Sequence, residues 1–384
     1  AKRPMILIGA GLSRESAVIL QNPIKETSLP FSTTWNGIDR IGSNHPNYVG
    51  RPQTWGQRSA NILIQQADLL VAIGSRLGMQ QTGFNWEEFI PKGKIIQIDI
   101  DQNELDKGHP IIEYGFAVDA NDALLKILSH QLGDHRDWLA FCREVIRLIP
   151  LVEKSSYNNK KTFVSPHLFI DKLSELTNKN DIIIPCSSGG AFTVTMQVFQ
   201  QKFGQKIVTN KALASMGYGL SGAIGASIAN PSKRVVLIEG DGGFSQNLQE
   251  IGTAAINNCN LKIFIFEDGG YASIRMTQRS YFGGRYVGCD TRTGLGLPNW
   301  EQLFKAWNVP VLKIDYNSFN EGSYIGNFQE NGFAAFIVAI DPDQTYFPKI
   351  SSKVSETRGM ISNPIHHMTP ELEEPLKSQV FKYL

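Results

Sequence analysis

The sequence predicts an α/β protein built from two doubly wound parallel-sheet domains. Three observations predict it. Short runs such as Met5-Ile6-Leu7-Ile8 and Val235-Val236-Leu237-Ile238 are apolar at every position, so both faces of those strands are buried. Helical stretches separate them, which is the alternation a parallel sheet covered on two sides requires. Many of the 35 glycines fall at strand ends, and 384 residues with 42% hydrophobic content give room for two full cores.

In the first domain, residues 1–150, Pro4–Ile8 reads as a buried strand running into the turn Gly9-Ala10-Gly11. Strands follow at 31–35, 67–74 and 94–99, with helices at 57–66 and 121–131 and a helical stretch at 137–149. The chain opens on its first strand without a lead-in, and a piece of a longer polypeptide is the expectation. A polar linker, 151–163, contains Ser-Ser-Tyr-Asn-Asn-Lys-Lys.

The second domain, 164–345, begins at Ser165-Pro166, an N-cap followed by Pro at the first helical position. Strands are expected at 181–185, 206–209, 234–239, 261–266, 310–314 and 334–340, and helices at 217–230 and 246–257. Residues 346–384 lack periodicity and are expected to wrap over the surface as a tail.

Composition excludes several classes. Lys+Arg 37 against Asp+Glu 36 leaves a net charge of +1, so no global field draws in nucleic acid or an anionic membrane. Apolar runs are strand-length, which predicts no transmembrane span. Cys142, Cys186, Cys259 and Cys289 have no Cys-x-x-Cys spacing, which predicts reduced thiols and a cytoplasmic location rather than a zinc site.

Chemistry is sought at the carboxyl ends of strands, where open parallel sheets bind ligands. The strand at 234–239 ends in Gly240-Asp241-Gly242-Gly243 at a helix start, and the next ends in Glu267-Asp268-Gly269-Gly270. Glycines and free N–H groups suit a phosphate, whereas an Asp there repels one unless a divalent cation lies between. Either loop alone reads as a turn. On consecutive strands, Asp241 and Asp268 can supply two oxygen ligands to one cation. Ser187-Ser188-Gly189-Gly190 is a second nest at a strand-to-helix junction.

Gly240-Asp241-Gly242, followed one strand later by Asp268 and Gly270, resembles the fingerprint of thiamine-diphosphate-dependent enzymes, usually Gly-Asp-Gly and then Asn-Asn. Asn247-Leu248-Gln249-Glu250-Ile251, Ser215-Met216-Gly217-Tyr218-Gly219-Leu220 and Ala223-Ile224-Gly225-Ala226 are similar to flanking stretches of that family. Thr34-Trp35-Asn36-Gly37, Ala67-Asp68-Leu69-Leu70, Gly74-Ser75-Arg76 and Ile98-Asp99-Ile100-Asp101 resemble the central domain of acetolactate synthase-like large subunits.

The resemblance implies a Rossmann-like central domain followed by a thiamine-diphosphate-binding domain. Asp241, Asp268 and the Gly270 carbonyl would hold Mg²⁺. Gly240, Gly242, Gly243, Ser187, Ser188, Gly189 and Gly190 would cradle the diphosphate, Met216 would bend the cofactor, and backbone near Ala214 would meet the pyrimidine. Glu267-Asp268 in place of Asn-Asn adds charge and predicts metal-dependent cofactor binding. Arg275, three residues from Gln278, reads either as a group for a substrate carboxylate or phosphate or as a surface arginine. Gly9-Ala10-Gly11 lacks the third glycine of a dinucleotide fingerprint, since Arg14 stands there, and FAD, bound by some relatives, is the weaker expectation because the match near Gly50–Gln57 is loose. His366-His367 reads as structural, with an active-site cap as the lesser reading.

The implied activity is decarboxylation of a 2-keto acid with transfer to a second carbonyl compound, in a homodimer or homotetramer. Simple decarboxylation, a non-catalytic or regulatory homologue and a nucleotide-binding dehydrogenase are the alternatives. The family's activating Glu comes from an N-terminal pyrimidine-binding domain, usually of the neighbouring subunit. No third α/β unit is legible, so a catalytic unit inactive alone is expected.

Overall fold

The computed structural model describes residues 1–157, 160–186, 188–211, 213–355 and 359–384. They form two compact units: Ala1–Ser155 with Gln201–Phe203 and Phe347–Leu384, and Ser156–Gln200 with Gly204–Tyr346. Each is α/β with a parallel sheet, as the sequence predicts. No helix among the described residues is long and apolar enough to cross a membrane.

In the first unit β1 (Pro4–Ile8), β2 (Phe31–Thr33), β3 (Leu69–Ile73), β4 (Lys94–Asp99) and β5 (Tyr114–Ala117) form a sheet ordered β2-β1-β3-β4-β5. All neighbours are parallel. Side chains alternate between two cores. Met5, Leu7 and Leu70 pack with Ile62, Trp138 and Val145, whereas Ile6, Ile8 and Ile73 pack with Leu20, Ile24 and Leu124. An added Cβ at Gly9 would overlap the Gly74 carbonyl. That close approach accounts for glycine in the Gly9-Ala10-Gly11 turn through packing, without any nucleotide.

Residues after 346 are not the surface wrap expected of them. Ile365 and Val380 are fully buried and join the first unit's core with Met368. Their carbonyls are not orphaned, because Asn61 Nδ2 donates to Ile365 O at 2.9 Å and Gln66 Nε2 to Val380 O at 2.9 Å. Single anchors at irregular spacing bury a segment without leaving a period to read.

The second unit contains β6 (Ile182–Ile184), β7 (Lys206–Ile207), β8 (Val235–Gly240), β9 (Leu261–Glu267), β10 (Val311–Ile314) and β11 (Ala334–Ala339). Their order is β10-β11-β9-β8-β6-β7, again parallel throughout. On one face Leu237, Ile263 and Ile337 pack with Leu220, Ile251 and Phe304. On the other, Phe264 stacks on Phe336 and meets Phe169 edge-on.

Ser165 caps helix Pro166–Leu176 by accepting from Leu168 N–H, with Pro166 at its first position. The helix expected at 246–257 is broken. A 3-10 segment, Ser245–Glu250, precedes helix Ile251–Ile256, and Asn247 leaves helical geometry at φ −145°. The Asn247 side chain is drawn instead to Gly217 O, at 3.4 Å, and to Ser221 Oγ. The sheet order sets β6, β8 and β9 side by side, so their carboxyl ends open on one edge.

Candidate cofactor site

Gly240 ends β8 opposite Phe266 of β9, which brings the two acidic loops together. Asp241 is fully buried. Its Oδ1 accepts from Gly242 N–H at 2.7 Å and Gly270 N–H at 3.2 Å, and its Oδ2 accepts from Gly269 N–H at 2.8 Å. Gly269 and Gly270 present these N–H groups from positive φ, 80° and 142°. Burial pushes the Asp241 carboxyl well above the usual range, and the nearby charge of Asp268 pushes it further. Burial therefore makes both carboxylates costly to ionise, and the charge of Asp268 adds to that cost at Asp241.

Arg275 is not the surface arginine considered from sequence. It sits in helix Ala272–Tyr281, 3% exposed, and its Nη2 donates to Asp268 Oδ1 at 2.6 Å. Burial raises the Asp268 carboxyl, and the guanidinium opposes that rise. Gln278 does not join it, because its Oε1 accepts from Val287 N–H at 3.0 Å. Among the described residues no three His, Cys, Asp or Glu side chains gather as a metal-holding group.

At the end of β6, helix Gly189–Val198 begins after Ser188, whose side chain makes no capping bond. Its first N–H groups are the kind an anion satisfies. Ser187 lies outside the described residues. Tyr346 packs its ring against Gly190 and is 3% exposed. Burial and the charge of Asp268 hold its hydroxyl well above the usual tyrosine range, so it stays protonated. Gly243 lies near Glu239.

Met216 is 46% exposed, which excludes core packing as its reason for being there. Ala214 adopts φ 52° on the same exposed turn. This turn is tied to the segment that follows β8, since Gly217 O accepts from Asn247 Nδ2 at 3.4 Å. Glu239 is 3% exposed, its Oε2 has no partner among the described residues, and burial pushes its carboxyl up to about 8. Sequence reasoning missed both Glu239 and Tyr346. A charged residue inside an otherwise apolar strand was the available signal for Glu239, and Tyr346, in aperiodic chain, gave none.

Residues 1–127 match the family model for the thiamine pyrophosphate enzyme central domain, and residues 188–323 match that for the C-terminal TPP binding domain. The chain belongs to the thiamine pyrophosphate enzymes. Among its relatives in that family is the acetolactate synthase isozyme 2 large subunit of Escherichia coli K12, 29% identical over 363 residues, which cover 93% of this chain and 63% of the relative. The isozyme 1 large subunit of the same organism is 26% identical, covering 93% and 62%. Acetolactate synthase 1, chloroplastic, of Zea mays is 29% identical, covering 82% of this chain and 50% of the relative. The chain thus spans less than two thirds of the length of each of these relatives. The TPP-binding match covers the ends of β8 and β9 and the start of helix Gly189–Val198, the elements that carry the acidic loops and the uncapped helix.

Proposed function

We propose that the chain is the central and diphosphate-binding part of a thiamine-diphosphate-dependent 2-keto acid decarboxylase and carboligase resembling acetolactate synthase, with the cofactor held through Mg²⁺. The single observation that carries this reading is the Asp241–Asp268 pair. Two buried carboxylates at adjoining strand ends are a poor arrangement for an anionic ligand alone and a good one for a divalent cation bridging to phosphate. Asp241, Asp268 and the Gly270 carbonyl would hold the cation. The N–H groups of Gly190 and Gly243 would receive the diphosphate, that of Gly242 being already given to Asp241 Oδ1, and Met216 and the Ala214 backbone would receive the pyrimidine side.

When bound, the cofactor supplies the electron sink that decarboxylation of a 2-keto acid requires. The residues of this chain bind and orient it. Asp241 is fixed in one orientation by three backbone N–H groups. In this reading a Glu of a pyrimidine-binding domain, from the same or a neighbouring subunit, would activate the cofactor. A homodimer or homotetramer is part of the proposal. A non-catalytic homologue is the second reading, favoured by the guanidinium already engaging Asp268.

Calorimetric titration of the chain with thiamine diphosphate, with and without Mg²⁺, tests the proposal. Binding that needs Mg²⁺ and is lost in Asp241→Asn is the expected result. Equal affinities in both conditions would overturn it. Turnover of pyruvate only on addition of a pyrimidine-binding domain separates the enzyme from the non-catalytic homologue.

A further inference from the structure

Arg275 makes more bonds to Asp268 than a passing ion pair does. Nη2 donates to the Asp268 carbonyl at 3.0 Å as well as to its Oδ1, and Nη1 reaches Cys289 O at 3.5 Å. Both side chains are nearly sealed from solvent, at 4% and 6% exposure. Nε, by contrast, is buried with no hydrogen-bond partner among the described residues. The guanidinium is thus aimed at Asp268 while one of its own donors goes unsatisfied, a cost that an arrangement serving stability alone avoids.

Charge explains the aim. Asp241 accepts only neutral backbone N–H groups in the bonds described above, so nothing there cancels its charge. With both carboxylates ionised the pocket carries two negative charges, and Arg275 reduces them to one. A fixed positive charge beside a cation site repels the cation, and in a buried site that repulsion is weakly screened. We infer that Arg275 is a built-in counter-ion that sets the metal affinity of the Asp241–Asp268 pair. It holds that affinity low in the bare chain, so that cation and diphosphate bind together rather than in sequence. Arg275 is here a positioning residue acting through Asp268. The inference rests on the metal-bridged reading given above.

The test uses Mn²⁺ as the probe, its binding to the purified chain followed by electron paramagnetic resonance without cofactor. Arg275→Gln should bind Mn²⁺ about tenfold more tightly than the parent chain, or more. Asp268→Asn should bind more weakly than the parent. The double variant Asp268→Asn/Arg275→Gln carries the parent's net charge and should return to within about threefold of it. A damaged structure weakens metal binding, so tightening is a readout that a purely structural role would not produce. If Arg275→Gln does not fold, the same comparison in the Asp268→Asn background, where the carboxylate that Arg275 pairs with is already absent, carries the test. A folded Arg275→Gln with unchanged or weaker Mn²⁺ affinity, in a chain whose metal binding is abolished by Asp241→Asn, overturns this inference alone. If no variant binds Mn²⁺ and Asp241→Asn leaves the thiamine diphosphate titration unchanged, the underlying reading falls with it.

Discussion

The ring of Tyr346 occupies the space that a Cβ at Gly190 would need, at the first turn of the helix that follows β6. The contact couples the chain beyond β11 to the proposed diphosphate cradle, with Asp241 and Asp268 close enough to act on the tyrosine hydroxyl. Gly190→Ala should therefore cost about 1–3 kcal/mol through overpacking. Adding Tyr346→Leu should return part of that loss by making room. Urea denaturation of the single and double variants measures both, and a Gly190→Ala chain as stable as the parent would contradict the contact.

The final segment is a core element and should behave as one. Ile365, fully buried against the first unit, is expected to cost about 2–5 kcal/mol on replacement by Ala. A surface wrap would lose less than about 0.5 kcal/mol at the same position. The shift in the urea midpoint of Ile365→Ala decides between them.

Legibility followed burial and period. Strands such as β1, β8 and β9 were readable because both faces are apolar, and the pairing of Gly240 with Phe266 then brought the two acidic loops together. Strand β5 was missed because its four residues are exposed and carry no buried face. Helix Arg14–Glu26 was missed because Pro23 stands inside it, near its end, and argues against a helix when read alone. The Arg275–Asp268 pair was illegible for another reason. Spacing gives the face of a helix, but whether that face meets solvent, substrate or a neighbouring loop depends on the packing of residues distant in sequence.

His366 gives a pH dependence. It is 8% exposed, its Nδ1 lies 3.0 Å from Gln65 Nε2, and burial first and then His367 pull it down to about 4. The unfolded chain takes up this proton near pH 6.5 and the folded chain only near 4. Stability from the neutral imidazole is therefore present above about 6.5 and is lost as pH falls through that window, by about 2–3 kcal/mol. His366→Gln should flatten the loss, which urea midpoints at pH 7 and pH 4.5 would register. Parallel shifts in the two chains would refute the assignment.

Glu239 has the opposite sign. Its folded carboxyl is raised to about 8 by burial, with the Gly217 N–H opposing, against an ordinary value near 4.5. Between these values the folded chain keeps a proton that the unfolded chain has released, so stability falls as pH rises through the window and levels off above about 8. The buried acid lies beside Gly219 and Gly243, which makes this a cost carried next to the proposed cofactor site. Glu239→Gln removes the titration and keeps the shape. It should match the parent near pH 4.5 and exceed it by about 3 kcal/mol at pH 8. A stability difference that does not grow with pH would mean that Glu239 is ionised in the folded chain, its charge met by a partner at the end of β8.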